Sequence, residues 1–400
     1  MTENETVDGS TLTEKVIEAS AALDRWALQD AFPFWHTHGI DPDTGAFAET
    51  LDLVSHQEAA PARRARVQPR QVFSFLEAAD LGWDGPALQI ARSGMESYLS
   101  SYFNEDGTAI SAITIATSEA DPTFDLYNQA FALFAMGRLA RAIPQSAPDM
   151  HAKASALLDH LRKGFAHTDG GFHEANPVRA PLRSNPHMHL FEASLELEQT
   201  AEDTRWRELA DEIADLALTK FIDPATGGLR EFFDLDWSPM PDETGRIMEP
   251  GHQFEWAWLL IRWGILRNRA DAISAARRLY QIGEQFGIDA ERQVAIMALN
   301  DDLETHDPLA RLWGQTEWIK AAVILARISV GPEQDAFQND IVRASDALMQ
   351  YFKDVPAGLW RDKLKEDGRF IDEPAPASSF YHIICAIGEL HAFAADLKRS

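Results

Sequence analysis

A glycine-bearing turn recurs about every 60 residues, six times along the chain. The turns are Asp43-Thr44-Gly45, Glu105-Asp106-Gly107, Asp169-Gly170-Gly171, Ala225-Thr226-Gly227-Gly228, Phe286-Gly287 and Ala357-Gly358. Glycine supplies the positive φ that such turns need. A period of this length is the mark of a repeat architecture. Between the turns, apolar residues recur with the 3.6-residue period of a helix. The pattern predicts twelve helical segments, at 11–32, 66–81, 84–102, 122–143, 147–165, 186–200, 203–220, 250–268, 270–286, 308–328, 333–352 and 377–396. Connections alternate. After each even-numbered segment the turn is short, as at Leu81-Gly82-Trp83-Asp84 and Arg267-Asn268-Arg269. Before each even-numbered segment the loop is long and carries the glycine turn. Six helix pairs at fixed phase predict an all-α (α/α)6 barrel, with residues 1–400 as a single domain. The even-numbered segments form its inner ring, and their N-termini and the long loops gather at one mouth. An open solenoid is the alternative.

The starts of the inner segments carry the chemistry. In Arg183-Ser184-Asn185-Pro186-His187-Met188-His189, Asn185 suits a helix cap, Pro186 suits the first position and His189 falls in the first turn. In Glu249-Pro250-Gly251-His252-Gln253-Phe254-Glu255-Trp256, Pro250 again suits the first position. His252 follows, and Glu255 lies three residues on, over the same face. The last inner segment has Pro374, Pro376, then Ser378-Ser379-Phe380-Tyr381-His382. The others begin with Arg66-Val67-Gln68-Pro69-Arg70, Asp125-Leu126-Tyr127 and Trp313-Gly314-Gln315-Thr316-Glu317. The helix macrodipole disfavours an imidazolium at a helix start and lowers its pKa. A neutral imidazole near pH 7 can act as a general base. Of the cluster Arg63, Arg64, Arg66 and Arg70, only Arg66 reads as facing a ligand; the rest read as solvated. Trp256, Trp258 and Trp263 read as core. Trp313 and Trp360 divide evenly between core and a stacking surface for a sugar.

Charge and composition narrow the partners. The net charge is −27, from 36 Lys plus Arg against 63 Asp plus Glu. Such a surface repels nucleic-acid phosphates and anionic lipid. One cysteine, Cys385, allows no internal disulfide and no Cys-type zinc site. Residues Met1 to Lys15 lack an apolar run, so no signal peptide is expected. No apolar stretch approaches the ~18 residues of a membrane span. These features predict a cytoplasmic protein. His187 and His189 point about 200° apart on a helix and cannot share one ion. A divalent ion held by His189, His252, Glu255 and His382 stays open. No P-loop, dinucleotide fingerprint or G-x-S-x-G element is present. No cofactor is expected. Outer helix faces leave a homo-oligomer open.

The motif Arg183-Ser184-Asn185-Pro186-His187-Met188-His189, followed by Phe191-Glu192-Ala193, resembles the N-acylglucosamine 2-epimerase superfamily. So do Glu249-Pro250-Gly251-His252-Gln253-Phe254-Glu255-Trp256, Arg66-Val67-Gln68 with Arg70, Trp313-Gly314-Gln315-Thr316-Glu317 and Tyr381-His382. The resemblance covers nearly the whole chain and is greatest to the mannose isomerase branch, which includes relatives acting on sulfoquinovose. It implies an (α/α)6 barrel and metal-independent sugar chemistry. It implies His252 and His382 as the acid/base pair, with His189 assisting ring opening. It implies sugar binding by Arg66, Tyr127, Asn185, Glu255, Trp313 and Gln315, with Arg246 facing the pocket. Gly314 and Ser378 sit where family members differ.

The reaction expected is aldose–ketose isomerisation of D-mannose to D-fructose. A base removes the C2 proton of the opened sugar, a cis-enediol forms, and a proton returns to C1. Return to C2 from the opposite face is instead 2-epimerisation, of mannose and glucose or of an N-acylhexosamine. Arg66 is placed to stabilise the enediolate, and Glu255 to orient His252. A sulfoquinovose isomerase is a further alternative. Two rivals lie outside this chemistry. A glycoside hydrolase would need paired carboxylates, drawn from Glu255, Glu317 and Asp125. A non-catalytic sugar-binding protein would tolerate loss of the histidines.

Overall fold

The computed structural model describes residues 11–399, so the leader reading of residues 1–10 falls outside the described residues. The chain opens with α1 (Leu12–Arg25), a π-helical turn (Trp26–Ala31) and α2 (Phe32–His38). It continues with α3 (Val67–Asp80), α4 (Ala87–Ser101), α5 (Leu126–Ala142), α6 (Ala147–Gly164) and α7 (Ser184–Glu198). Then come α8 (Arg205–Leu216), α9 (Pro250–Arg267), α10 (Ala270–Gly287), α11 (Leu312–Ile328), α12 (Pro332–Gln350) and α13 (Ser378–Leu397).

Helices α3, α5, α7, α9, α11 and α13 pack each against the next, and α13 packs back against α3. That last contact closes the ring and rules out an open solenoid. The outer partners are α1, α4, α6, α8, α10 and α12. Sequence pattern separates the two rings. Outer helix α8 buries the stripe Trp206, Leu209, Ala210, Ile213 and Ala214 together with Leu216 at its end. Each large side chain in such a stripe contributes about 1.5–3 kcal/mol by leaving water. Inner helix α11 is buried all round, polar residues included, as a helix enclosed by neighbours must be.

The first rod runs past the expected end at residue 32. Thr11 and Glu14 form a reciprocal capping box at its start. Pro33 has no N–H for the helical ladder, and the wider turn before it lets the Phe32 N–H reach the Ala27 carbonyl.

Each long loop begins with an antiparallel bridge: Ile40 with Phe47, Phe103 with Ala109, Ala166 with Phe172, Ile222 with Leu229, Ile288 with Ala295 and Leu364 with Phe370. Two of the expected turns move. The fifth lies at 289–293, where Gln293 takes the left-handed conformation at φ 54° without glycine. Two Asp289 hydrogen bonds, to the backbone N–H groups of Glu291 and Arg292, hold that turn. The sixth uses Gly368 at φ 78° rather than Gly358.

The bridges are fastened to the inner ring by side chains. Gln68 accepts from the Phe47 N–H at 2.8 Å and donates to its carbonyl at 2.8 Å. Gln129 does the same for Ala109, Gln253 for Leu229 and Gln315 for Ala295. In the third repeat His187 takes the place of glutamine, accepting from the Phe172 N–H at 3.0 Å. A buried loop backbone group needs such a partner. Gln315 is therefore occupied by the loop and lies outside the cavity; its expected role in sugar binding is corrected. Among the described residues no helix is long and apolar enough to cross a membrane.

Candidate active site

The N-terminal residues of the inner helices enclose a cavity of about 380 Å³. His189, His252 and His382 all line it. So do Arg66, Tyr127, Asn185, Glu255 and Trp313. Arg246 does not. Its guanidinium is held by Asp301 and Asp302, both at 2.8 Å, and by Glu243 at 3.3 Å, which corrects its expected place in the pocket.

The residues just before the inner helices form a ring of alternating charge. Arg66, Asp125, Arg183, Glu249 and Arg311 are the capping residues of α3, α5, α7, α9 and α11, and every one lines the cavity. Asp125 lies 3.7 Å from Arg66 and 3.6 Å from Arg183. An arginine at a helix start works against the macrodipole, so three of them at one mouth call for an explanation beyond helix stability. Asn185 is not the cap of α7. It lies inside the helix, with its side-chain amide 3.2 Å from His252 Nε2.

The three histidines are not alike. His382 Nδ1 lies 2.8 Å from Glu317 Oε1. Its pKa is pushed well below the ordinary value by burial, with Arg70 and Lys320 adding to the effect. His189 Nδ1 lies 3.3 Å from Glu192 Oε2, and Glu192 also accepts from the Tyr381 hydroxyl at 2.6 Å. Burial brings His189 down to about 4 against the pull of Glu192. Burial, rather than the helix macrodipole, lowers both and favours the expected neutral rings.

His252 departs from that expectation. Burial alone would lower its pKa, but Glu231 and Glu249 outweigh burial and raise it to about 10. Its Nδ1 is 3.0 Å from Glu231 Oε2 and 3.4 Å from Glu249 Oε2. Neither contact has the alignment of a hydrogen bond. Glu231 and Glu249 thus favour the charged form of His252, and they, rather than Glu255, face its Nδ1. Glu255 carries a proton itself: burial and the neighbouring Glu317 raise it to about 8.

Arg70 was read as solvated and is not. It is only 4% exposed. Its guanidinium lies 4.1 Å from the Phe131 ring centre, donates to the Tyr127 hydroxyl and reaches the Ser378 carbonyl at 3.3 Å. Arg64, Arg183 and Arg311 also face the cavity. A signal existed for two of these: Arg66, Arg183 and Arg311 hold the same position before alternate inner helices. Trp360 is core, stacked between Trp35 and Phe380.

The donor set considered for a divalent ion is split. His189 groups with Glu192 and Glu255, His382 with Glu255 and Glu317, and His252 with Glu231 and Glu249. Each set offers ligand atoms within 4.8 Å of one another. In each, histidine and carboxylate already face each other.

The family profile described as N-acylglucosamine 2-epimerase (GlcNAc 2-epimerase) matches residues 45–386. A mannose-6-phosphate isomerase of Rhizobium meliloti (strain 1021) is 47% identical over 368 residues, covering 91% of this chain and 95% of that protein. A crystal structure of D-mannose isomerase superposes with a TM-score of 0.80 at 19% identity, over 97% of this chain and 99% of the other. Cellobiose 2-epimerase from Spirochaeta thermophila DSM 6192 gives 0.84 at 18% identity, over 97% and 100%. The two solved structures share the barrel. The profile match and the Rhizobium relative establish the family: this chain belongs to the N-acylglucosamine 2-epimerase family of sugar isomerases and epimerases.

Proposed function

We propose that the protein is an aldose–ketose isomerase that converts a mannose-configured hexose to the fructose-configured ketose. The observation that carries this reading is the unequal setting of His382 and His252: the Nδ1 of His382 faces the single carboxylate of Glu317, whereas the Nδ1 of His252 stands between Glu231 and Glu249. Neutral His382 takes the C2 proton of the opened sugar through Nε2, leaving a cis-enediolate in which the O2 hydroxyl passes its proton to O1. The same ring then returns the abstracted proton to C1, leaving O2 as the ketone oxygen. His189 assists ring opening. His252, with a pKa raised to about 10 by Glu231 and Glu249, lines the cavity as a hydrogen-bond donor. That suits it to hold the enediolate oxygens, an electrostatic term that is often the largest in such catalysis. Arg70 and Arg66 add positive charge, and Trp313, 4.9 Å from the His252 ring, offers a face to the sugar.

A second reading concerns the distal end of the substrate. The three capping arginines favour an anionic substituent, and the Rhizobium relative's name is that of an enzyme acting on a hexose 6-phosphate. Arg66 has the least satisfied charge of the three, since its only ion pair is at 3.7 Å. We infer that a C6 phosphate is accepted and improves KM. A sulfonate, as in sulfoquinovose, offers the same chemistry.

Ketose formation from D-mannose, D-mannose 6-phosphate and sulfoquinovose tests both readings. Ketose from D-mannose or its phosphate, with a lower KM for the phosphate, supports them. Absence of ketose from all three sugars rejects the isomerase. Equal KM for the two mannose forms rejects the phosphate site.

A further inference from the structure

At and below the cavity floor, three carboxylates from three inner helices converge: Glu255 of α9, which lines the cavity, and Glu192 of α7 and Glu317 of α11 beneath it. All are at most 2% exposed. One cation stands among them. Lys320, on α11 and fully buried, places Nζ 2.6 Å from Glu317 Oε2 and 3.7 Å from Glu255 Oε1. The same Nζ lies 3.9 Å above the Trp258 ring centre. Lys320 does not line the cavity. From α13, Cys385 and Tyr381 also belong to this buried shell. The register makes the lysine conspicuous. Counting five residues on from each loop-fastening side chain gives Phe73, Phe134, Glu192, Trp258 and Lys320. Only the fifth repeat places a cation there.

Glu317 divides its two oxygens. Oε2 meets Lys320 and Oε1 meets His382 Nδ1. An ammonium in a low-dielectric interior favours the ionised form of the carboxylate beside it. An ionised carboxylate can only accept, so the nitrogen facing it must carry the proton.

We propose that Lys320 is a positioning residue of the site: it holds Glu317 as a carboxylate and, through it, fixes His382 in the tautomer with Nδ1 protonated and Nε2 free. The inference rests on the isomerase reading for its catalytic meaning, but its structural claim needs no substrate. Without the ammonium, Glu317 would share a buried pocket with Glu255 and Glu192 and would take up a proton. It would then compete to donate to His382 Nδ1, leaving the proton on Nε2, where it blocks proton abstraction.

The test is ¹⁵N NMR of histidine-labelled protein, with the His382 signals assigned by their loss in His382→Asn. The wild type is expected to show a protonated Nδ1 and an unprotonated Nε2 between pH 6 and 8. An Nε2-protonated wild-type ring overturns the proposal, whether or not any variant folds. In Lys320→Met, the tautomer is expected to shift and kcat to fall by ~10²-fold, the scale of general-base loss. KM should change less than about threefold, because Lys320 does not reach the cavity. Lys320→Arg, which keeps the charge, is expected to retain the wild-type tautomer. An unchanged tautomer in a folded Lys320→Met protein rejects the proposal. If no sugar is turned over, the isomerase reading fails while the NMR result still decides this one.

Discussion

His382 Nδ1 lies 2.8 Å from Glu317 Oε1, so the cavity-lining ring is tethered from below and offers its other nitrogen to the substrate. This contact spans two inner helices, α13 and α11. Under the proposed isomerase reading, it favours before any sugar binds the tautomer that a base at His382 needs. Replacing His382 by Asn is expected to lower kcat by about 10²–10⁴-fold, the usual contribution of a general base. Circular dichroism should show an unchanged helical content.

The charge on His252 has a consequence for stability. Its folded pKa is raised to about 10, above the ~6.5 of an unfolded imidazole. Its contribution to stability is thus complete below pH ~6.5 and fades as pH rises toward 10. His189 behaves oppositely. Its pKa is lowered to about 4, so folding is favoured above pH ~6.5 and loses that contribution as pH falls toward 4. Denaturant titrations from pH 4 to 10 should show His252→Gln flattening the alkaline limb and His189→Gln flattening the acid limb. The reverse pattern would contradict the assigned charges.

Arg66 and Arg246 make a matched pair of tests. Arg66→Gln is expected to raise KM for a 6-phosphorylated sugar by about 10- to 100-fold, as for loss of a hydrogen bond to a charged group. KM for the neutral sugar should change less. Arg246→Gln is expected to leave kcat/KM within about twofold, because its partners Asp301 and Asp302 lie outside the cavity.

Gln315 should matter for folding rather than for chemistry. Gln315→Ala leaves the buried Ala295 N–H and carbonyl without their side-chain partner. The expected cost is about 1–3 kcal/mol in urea unfolding. Residual folded enzyme should keep its KM.

The barrel was legible because its repeat is written in turn residues and helical period. Gly45, Gly107, Gly171 and Gly227 each adopt the positive φ that the turns demand. The fifth turn escaped because Gln293 takes that conformation, held by Asp289, and a glutamine carries no such signal. The three histidines were legible from their place at helix starts. The proton on His252 was not: Glu231 sits on a loop 21 residues upstream and meets the ring only in the folded chain. Arg70 looked solvated because a sequence pattern that finds surface helices says little about an inner helix buried on every side. Gln315 shows the opposite error: like Gln68, Gln129 and Gln253, it serves the backbone of a loop.

The central claim is proton transfer between C2 and C1 by one base. It is tested most directly by proton NMR of the enzyme acting on D-mannose and its 6-phosphate in D₂O. The expected result is the ketose as first product, with deuterium at C1 and no early glucose-configured sugar. A glucose-configured sugar appearing first, with deuterium at C2, would contradict the account and require two proton-transferring faces instead of one.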